Sequence, residues 1–335
     1  MQKNFAIVGC GRISLRHAEQ ISRVGKLKAV CDIIPERADS LATQYGAIPY
    51  YSLDQLLLSV KGIDVISICT PNGFHATHSI RCLEAGTHVL CEKPLCISSA
   101  DGRLMIEAEH KARKKLFVVK QNRYNPPIML LRQLINNNAL GKVYSFQLNC
   151  FWNRPEEYYT DWKGKKLMDG GTLFTQFSHF IDLLYWFLGD VESVKALAQN
   201  FAHPKIEFED SGMVLFEMKN GAIGSLNYTV NSYDKNMEGS ITIFAENGSV
   251  KVGGQYLNEL EYFSVKGMEA PVLPKGNTAN TYGFYQGSMS NHDKVYDNLM
   301  IALKDDSHLF ASAAEGLKTV EIIEKIYAEI AGKNA

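Results

Sequence analysis

Along the first 120 residues, short uninterrupted apolar runs alternate with stretches whose apolar positions recur every three or four residues. The runs 4–8, 27–31, 65–68, 88–91 and 116–119 predict strands, and the intervening segments 13–24, 35–45, 74–84 and 98–114 predict helices. Strands that are apolar throughout are buried on both faces. The pattern therefore predicts an α/β arrangement, a doubly wound parallel sheet of the Rossmann type with helices on each side.

After Lys120 the rhythm changes. A helix is expected over 126–137, a strand over 142–151 and a helix from about 171 to 187. Six β-like runs follow at 191–198, 210–218, 222–230, 240–245, 248–252 and 260–265, with Asn220-Gly221 and Asn247-Gly248 as hairpin turns. This half predicts an α+β domain with a large, mostly antiparallel open sheet. A loop rich in Gly, Pro, Asn and Thr over 266–287 and two helices over 291–304 and 309–330 close the chain. The expected domains are 1–121 and 122–335, which suits a length of 335 residues.

The composition, 46% hydrophobic and 21% charged, supplies real cores and argues against disorder. Lys+Arg number 35 against 36 Asp+Glu, a net charge of -1, so no global field recruits nucleic acid or an anionic membrane. No apolar run approaches the roughly 18 residues of a spanning helix, and the run before Gly9 is too short for a signal-peptide core. The expected compartment is the cytoplasm. The seven cysteines form no C-x-x-C and no metal-ligand spacing, and are expected as reduced core residues with no metal site.

The first strand ends in Gly9-Cys10-Gly11-Arg12-Ile13-Ser14, a G-x-G-x-x-S. Glycines there let a pyrophosphate approach the unpaired amides of the next helix, and Asp32, 21 residues after Gly11, can accept from a ribose hydroxyl. The bland alternatives are a plain β-turn-α junction and an N-cap role for Asp32. Gly9, Gly11, Arg12, Ile13, Asp32, Ile33 and Arg37 are the candidate cofactor contacts. Asp32 repels a 2′-phosphate and favours NAD over NADP, with Arg37 working against that preference.

Thr70, Asn72, Glu92 and Lys93 follow two further strands, on the edge where ligands of open α/β sheets bind, although Glu92-Lys93-Pro94 alone also fits a surface turn. His75 and His78 lack a third ligand. They are expected as a helix-start contact, with His75 near the cofactor, and a solvated residue. Gln121, Asn122, Arg123 and Tyr124 lie where the chain leaves the first domain, placed to touch cofactor or substrate.

On the expected helix 171–187, Thr172, Thr175, His179 and Asp182 make a polar stripe beside an apolar face. Either His179 is a satisfied core histidine, or Asp182, one turn later, fixes its tautomer for proton transfer. The stretch 151–166 is dense in aromatics and cations. It fits a solvated loop, or a site for an anionic, ring-bearing ligand with Arg154 as a fork for carboxylate or phosphate. One short basic segment is a poor footprint for nucleic acid.

The G-x-G-x-x-S start, Cys69-Thr70-Pro71-Asn72, Glu92-Lys93-Pro94 and the Gly-Gly-Thr helix with His179-x-x-Asp182, in that order, resemble the Gfo/Idh/MocA family of nicotinamide-dependent oxidoreductases from end to end. The resemblance implies a Rossmann domain, an α+β domain whose sheet makes subunit contacts in a homodimer or homotetramer, and Lys93 and His179 as catalytic residues with Asp182 as orienter. Many members carry an Asp four residues before that His. Thr175 stands there in this chain, which disfavours the inositol-dehydrogenase type. Arg154, Tyr158-Tyr159, Trp162-Lys163-Gly164, Asp169-Gly170-Gly171 and Gln176 look like the branch that oxidises the 3-hydroxyl of UDP-N-acetylglucosaminuronic acid in polysaccharide biosynthesis. That likeness implies Lys93, Arg123, Tyr124, Arg154, Tyr158, Trp162, Lys163, Thr175, Gln176 and His179 around the sugar nucleotide. Either Lys93 or His179 serves as base. The rival readings are a dehydrogenase of another sugar or cyclitol, a non-catalytic NAD sensor, and a glycosidase that uses NAD transiently.

Overall fold

The computed structural model describes residues 2–59, 61–283, 285–305 and 311–332. Two compact units emerge: Met1–Lys120 with His292–Val320, and Gln121–Asn291 with the chain from Glu321 onward. A single cut between 121 and 122 thus differs from these units in two respects: Gln121 falls with the second, and a later segment falls with the first. The segment from His292 to Val320 belongs with the first unit, for packing reasons that its side chains make plain below.

The first unit holds β1 (Lys3–Val8), β2 (Gly25–Cys31), β3 (Ile48–Tyr50), β4 (Val65–Ile68), β5 (His88–Cys91) and β6 (Leu116–Val118). They form one sheet in the order β3-β2-β1-β4-β5-β6, parallel throughout. Strand β4 is buried from end to end and the last four residues of β1 and the last three of β5 are buried too, as continuous apolar runs require. The strand order reverses between β1 and β4, which creates the binding crevice at their carboxyl ends.

Helices α1 (Ser14–Val24), α2 (Pro35–Tyr45), α3 (Leu53–Ser59), α4 (His75–Glu84) and α5 (Ser99–Ala112) make the crossovers. Proline at the first turn of α2 and a left-handed Gly46 after it mark the ends of that helix. The sequence pattern missed β3 and α3. Strand β3 is a three-residue edge strand containing Pro49, with Ile48 turned to solvent, so it carries no buried apolar run.

In the second unit, α6 (Pro126–Asn136) precedes β7 (Val143–Phe151), and α7 (Lys166–Asp169), α8 (Thr172–Thr175) and α9 (Ser178–Leu188) lead into the strands. These are β8 (Val191–Gln199), β9 (Ser211–Met218), β10 (Ile223–Thr229), β11 (Glu238–Ala245), β12 (Gly248–Gly253) and β13 (Glu259–Val265). The sheet order is β13-β12-β11-β7-β10-β9-β8. Every pairing is antiparallel except β7 with β10. Both Asn-Gly turns form the expected hairpins.

Two expectations need correction. The helix drawn over 171–187 is broken into α8 and α9, because Gln176 at the break turns its amide to buried partners described below. The expected loop 266–287 contains a short hairpin, β14 (Ala279–Thr281) with β15 (Gln286–Met289). Phe284 in that loop lies outside the described residues, as does Leu309, where the last helix was expected to start. The closing helices are α10 (His292–Ala302) and α11 (Ala313–Gly332). Among the described residues, no helix is long and apolar enough to cross a membrane.

Candidate active site

The glycine loop sits between β1 and α1. Gly9 has φ +93°, and a Cβ there would lie 2.6 Å from the Cys69 carbonyl carbon, so only glycine lets the ends of β1 and β4 approach so closely. At Gly11 a Cβ would meet nothing within 4 Å. Helix α1 starts without a side-chain cap and without an acid in its first turn, so no carboxylate of its own opposes an anion there, while the Ser14 and Arg16 amides donate to the Gly11 and Ile13 carbonyls. Such a cradle fits the pyrophosphate of a dinucleotide.

Asp32 follows β2 and pins the same loop: its Oδ2 accepts from the Cys10 amide at 2.7 Å and its Oδ1 from the Ile34 amide at 2.9 Å. The N-cap of α2 is Ile34, so Asp32 is a turn-former two residues earlier, not the cap. Ile33 is 83% exposed and Arg12 and Arg37 are exposed around it, while Ile13 is half-buried.

At the ends of β4 and β5, Thr70 and Lys93 are half-buried, and Asn72 and Glu92 are buried. His75 opens α4 and bridges both turns: Nδ1 lies 2.7 Å from the Pro94 carbonyl oxygen and Nε2 lies 2.9 Å from that of Thr70. Burial pushes its pKa down. His78 is not the solvated residue expected. It stacks on Phe74 and meets the Thr70 hydroxyl at 3.2 Å, and burial lowers its pKa to about 4.

Sequence reasoning missed His17, His292 and Tyr296. His17 and His292 both place Nε2 against Glu92 Oε1, and Tyr296 bonds His17. His292 stands 200 residues from Glu92, so no local spacing could have shown the group.

In the second unit, Gln121, Asn122, Arg123 and Tyr124 form one 3-10 turn. Gln121 Oε1 and Asn122 Oδ1 are buried acceptors that take no hydrogen bond from a described residue. Arg123, expected at the substrate, is fully buried and gives Nε and Nη2 to the two oxygens of Asp182, each at 2.8 Å. Its guanidinium lies over the Trp186 ring at 4.8 Å. Arg123 is therefore a structural partner of the helix that carries His179, the second residue of α9 and itself buried.

Thr175 bonds the carbonyl and the carboxylate of Asp169, which also accepts from the Gly164 amide at 2.8 Å. A threonine at the family's acidic position is thus tied to a carboxylate six residues upstream. Glu209, behind it, accepts from Tyr327 at 2.8 Å and Tyr228 at 3.1 Å, and burial raises its pKa to about 7.

Arg154 is the most unusual cation of this unit. It is 3% exposed, yet among the described residues its guanidinium donates only to neutral acceptors: Gln176 Oε1 at 2.7 Å, Asn236 Oδ1 at 3.1 Å and the Asn153 carbonyl at 2.5 Å. The rings of Trp152, Tyr158 and Tyr285 surround it at 5.0–5.3 Å. Gln176 donates onward to the Tyr158 hydroxyl at 2.8 Å, and Lys163 lies over Tyr158 and Trp162 at 5.0 and 5.1 Å. Arg154, Tyr158, Trp162, Lys163 and Gln176 are brought together as expected.

Two family models match, one after the other along the chain. Residues 3–120 match the oxidoreductase family's NAD-binding Rossmann fold, and residues 128–251 match the GFO/IDH/MocA C-terminal domain. The chain belongs to the Gfo/Idh/MocA oxidoreductase family. It is an NAD-dependent oxidoreductase, and the open space at Gly11 is compatible with a dinucleotide's approach.

Among solved structures, the WlbA dehydrogenase from Chromobacterium violaceum, in complex with NADH and UDP-GlcNAcA, superposes with TM-score 0.90. It is 36% identical, over 99% of this chain and 94% of that one. The WlbA dehydrogenase from Bordetella pertussis, with the same two ligands, gives TM-score 0.88 and 35% identity over 98% and 97%. D-glucoside 3-dehydrogenase of Escherichia coli K12 is 32% identical over 196 residues, 57% of this chain and 56% of that protein.

Proposed function

We propose that this Gfo/Idh/MocA member oxidises a secondary hydroxyl of an acidic nucleotide-linked sugar, the C3 hydroxyl of UDP-N-acetylglucosaminuronic acid. The observation that carries the reading is Arg154. A buried guanidinium with only neutral acceptors and π faces around it is an anion receptor whose anion comes from outside the protein. Two relatives with that sugar nucleotide bound support the same class.

In this reading Lys93 of the first unit and His179 of the second are the catalytic residues. A nicotinamide dinucleotide held by the loop of Gly9 and Gly11 would supply the hydride acceptor for the carbinol carbon. One of the two side chains removes the hydroxyl proton, and the other donates a hydrogen bond to the same oxygen and stabilises developing alkoxide charge. Asp182 and Arg123 hold the helix of His179 in register, and Gln121 offers its buried amide oxygen to the cofactor. Arg154 and Lys163 bind the anionic part of the substrate, and the rings of Tyr158 and Trp162 hold the Lys163 ammonium in place.

The second unit's sheet has an uncovered face on which Leu197, Met213, Leu215, Ile223, Phe244 and Tyr262 stand out on cross-strand rows. We propose that a second copy covers this face, since a monomer rarely leaves so much apolar surface in water.

The deciding experiment measures NADH absorbance with UDP-N-acetylglucosaminuronate, UDP-GlcNAc, inositol, glucose and methyl glucoside in parallel. Turnover with the acidic sugar nucleotide at least tenfold above every neutral sugar is expected. Preference for a neutral glucoside sinks the substrate assignment, and NAD binding without any turnover sinks the catalytic one.

A further inference from the structure

Glu92 ends β5 and is 6% exposed, so both of its oxygens need donors. Oε1 accepts from Nε2 of His17 at 3.0 Å and from Nε2 of His292 at 3.2 Å, and Oε2 accepts from the backbone amide of Lys93 at 3.0 Å. Burial by itself raises this carboxyl's pKa, but the hydrogen bonds from the two imidazoles outweigh it and hold the group well below its ordinary range. Glu92 is an anion that can only accept.

The protons of the surrounding groups follow from that fact. Burial pushes His17 down, so it carries one ring proton at neutral pH, and that proton sits on Nε2, facing Glu92. Nδ1 is then an acceptor, and the Tyr296 hydroxyl lies 2.9 Å from it. Burial pushes the Tyr296 phenol well up, so it keeps its proton and donates it to His17. Ser67, 2.8 Å from the Tyr296 oxygen, donates in turn. A one-way chain results, from Ser67 on β4 through Tyr296 on α10 and His17 on α1 to Glu92, whose far oxygen takes the Lys93 amide. The ligand-type atoms of His17, Glu92 and His292 lie within 4.8 Å of one another. This tautomer, however, turns an N–H of His17 and not a lone pair toward the carboxylate.

We propose that His17, His292 and Tyr296 are positioning residues that lock Glu92 in place, so that this fixed anion sets both the backbone at Lys93 and the protonation of its side chain. The proposal rests on the reading of Lys93 as catalytic. A carboxylate one residue away favours the ammonium, so its removal lowers the Lys93 pKa.

Three measurements test it. In wild-type protein labelled with 15N-histidine, His17 is expected with Nε2 protonated and Nδ1 bare from pH 6 to 8, and an Nδ1–H tautomer overturns the chain. Tyr296→Phe, which removes one oxygen, is expected to lower kcat about tenfold while sugar KM and NAD Kd stay within about threefold. Glu92→Gln is expected to move the pH limb owed to Lys93 down by about one unit. Lys93→Met separates the two claims. If it turns over like wild type, the catalytic reading of Lys93 falls and the proposal falls with it. If it is inactive while Tyr296→Phe and Glu92→Gln keep wild-type kcat and pH profile, the positioning proposal alone falls. Should Glu92→Gln fail to fold, the tautomer and Tyr296→Phe decide.

Discussion

Arg123 and Asp182 face each other with two parallel hydrogen bonds of 2.8 Å in a site from which water is excluded. Arg123→Met leaves Asp182 as a buried anion without its fork, a loss of about 3–5 kcal/mol for a pair of this kind. Urea denaturation is expected to show a lower midpoint by that measure. An unchanged midpoint shows that the pair contributes nothing net.

Arg154 makes the opposite case. It faces no carboxylate among the described residues, so Arg154→Met orphans no charge and the fold is expected to survive. Substrate affinity suffers instead. Loss of about 3 kcal/mol raises KM for an acidic sugar nucleotide roughly 100-fold, with little change in kcat. Equal losses for the acid and for its uncharged amide contradict the assigned role.

Glu209 gives the fold a pH dependence of unusual sign. Its carboxyl titrates near pH 7 in the folded protein against 4.5 ordinarily, because burial disfavours the anion. The unfolded chain therefore releases this proton first as pH rises. Stability is unaffected below about pH 4.5, falls between 4.5 and 7, and is lower by about 3 kcal/mol above that window. Glu209→Gln is expected to flatten the profile of unfolding free energy between pH 5 and 8. Persistence of the slope in that variant assigns it elsewhere.

The uncovered sheet face predicts association. Met213→Glu with Leu215→Glu places charges on neighbouring cross-strand rows, the first opposite Leu197 and the second opposite Lys195. Light scattering is expected to show smaller particles for the double variant than for wild type. A wild-type protein that already runs at 37.5 kDa removes the premise.

Much of this was legible in the amino-acid order because it is local. Continuous apolar runs marked five of the six parallel strands, and the glycine loop and its distant Asp32 carried their meaning in spacing alone. The aromatic and cationic stretch around Arg154 was also visible, since Tyr158, Trp162 and Lys163 follow within nine residues. Failures came where tertiary partners decide. Arg123 looked like a ligand contact until Asp182, 59 residues away, claimed its fork. The break between α8 and α9 depends on what Gln176 touches, which no periodicity records. His17, His292 and Tyr296 gave no signal because their relationship exists only after the chain returns to its first sheet.

That return has a price in time. On the ribosome, the first 120 residues emerge long before His292 and Tyr296, whose rings fill the space beside His17 and Ser67. The nascent nucleotide-binding half must wait, with polar groups unmatched, until the chain has grown past Tyr296. Any chimaera that grafts this half onto another enzyme has to bring the distant helix with it.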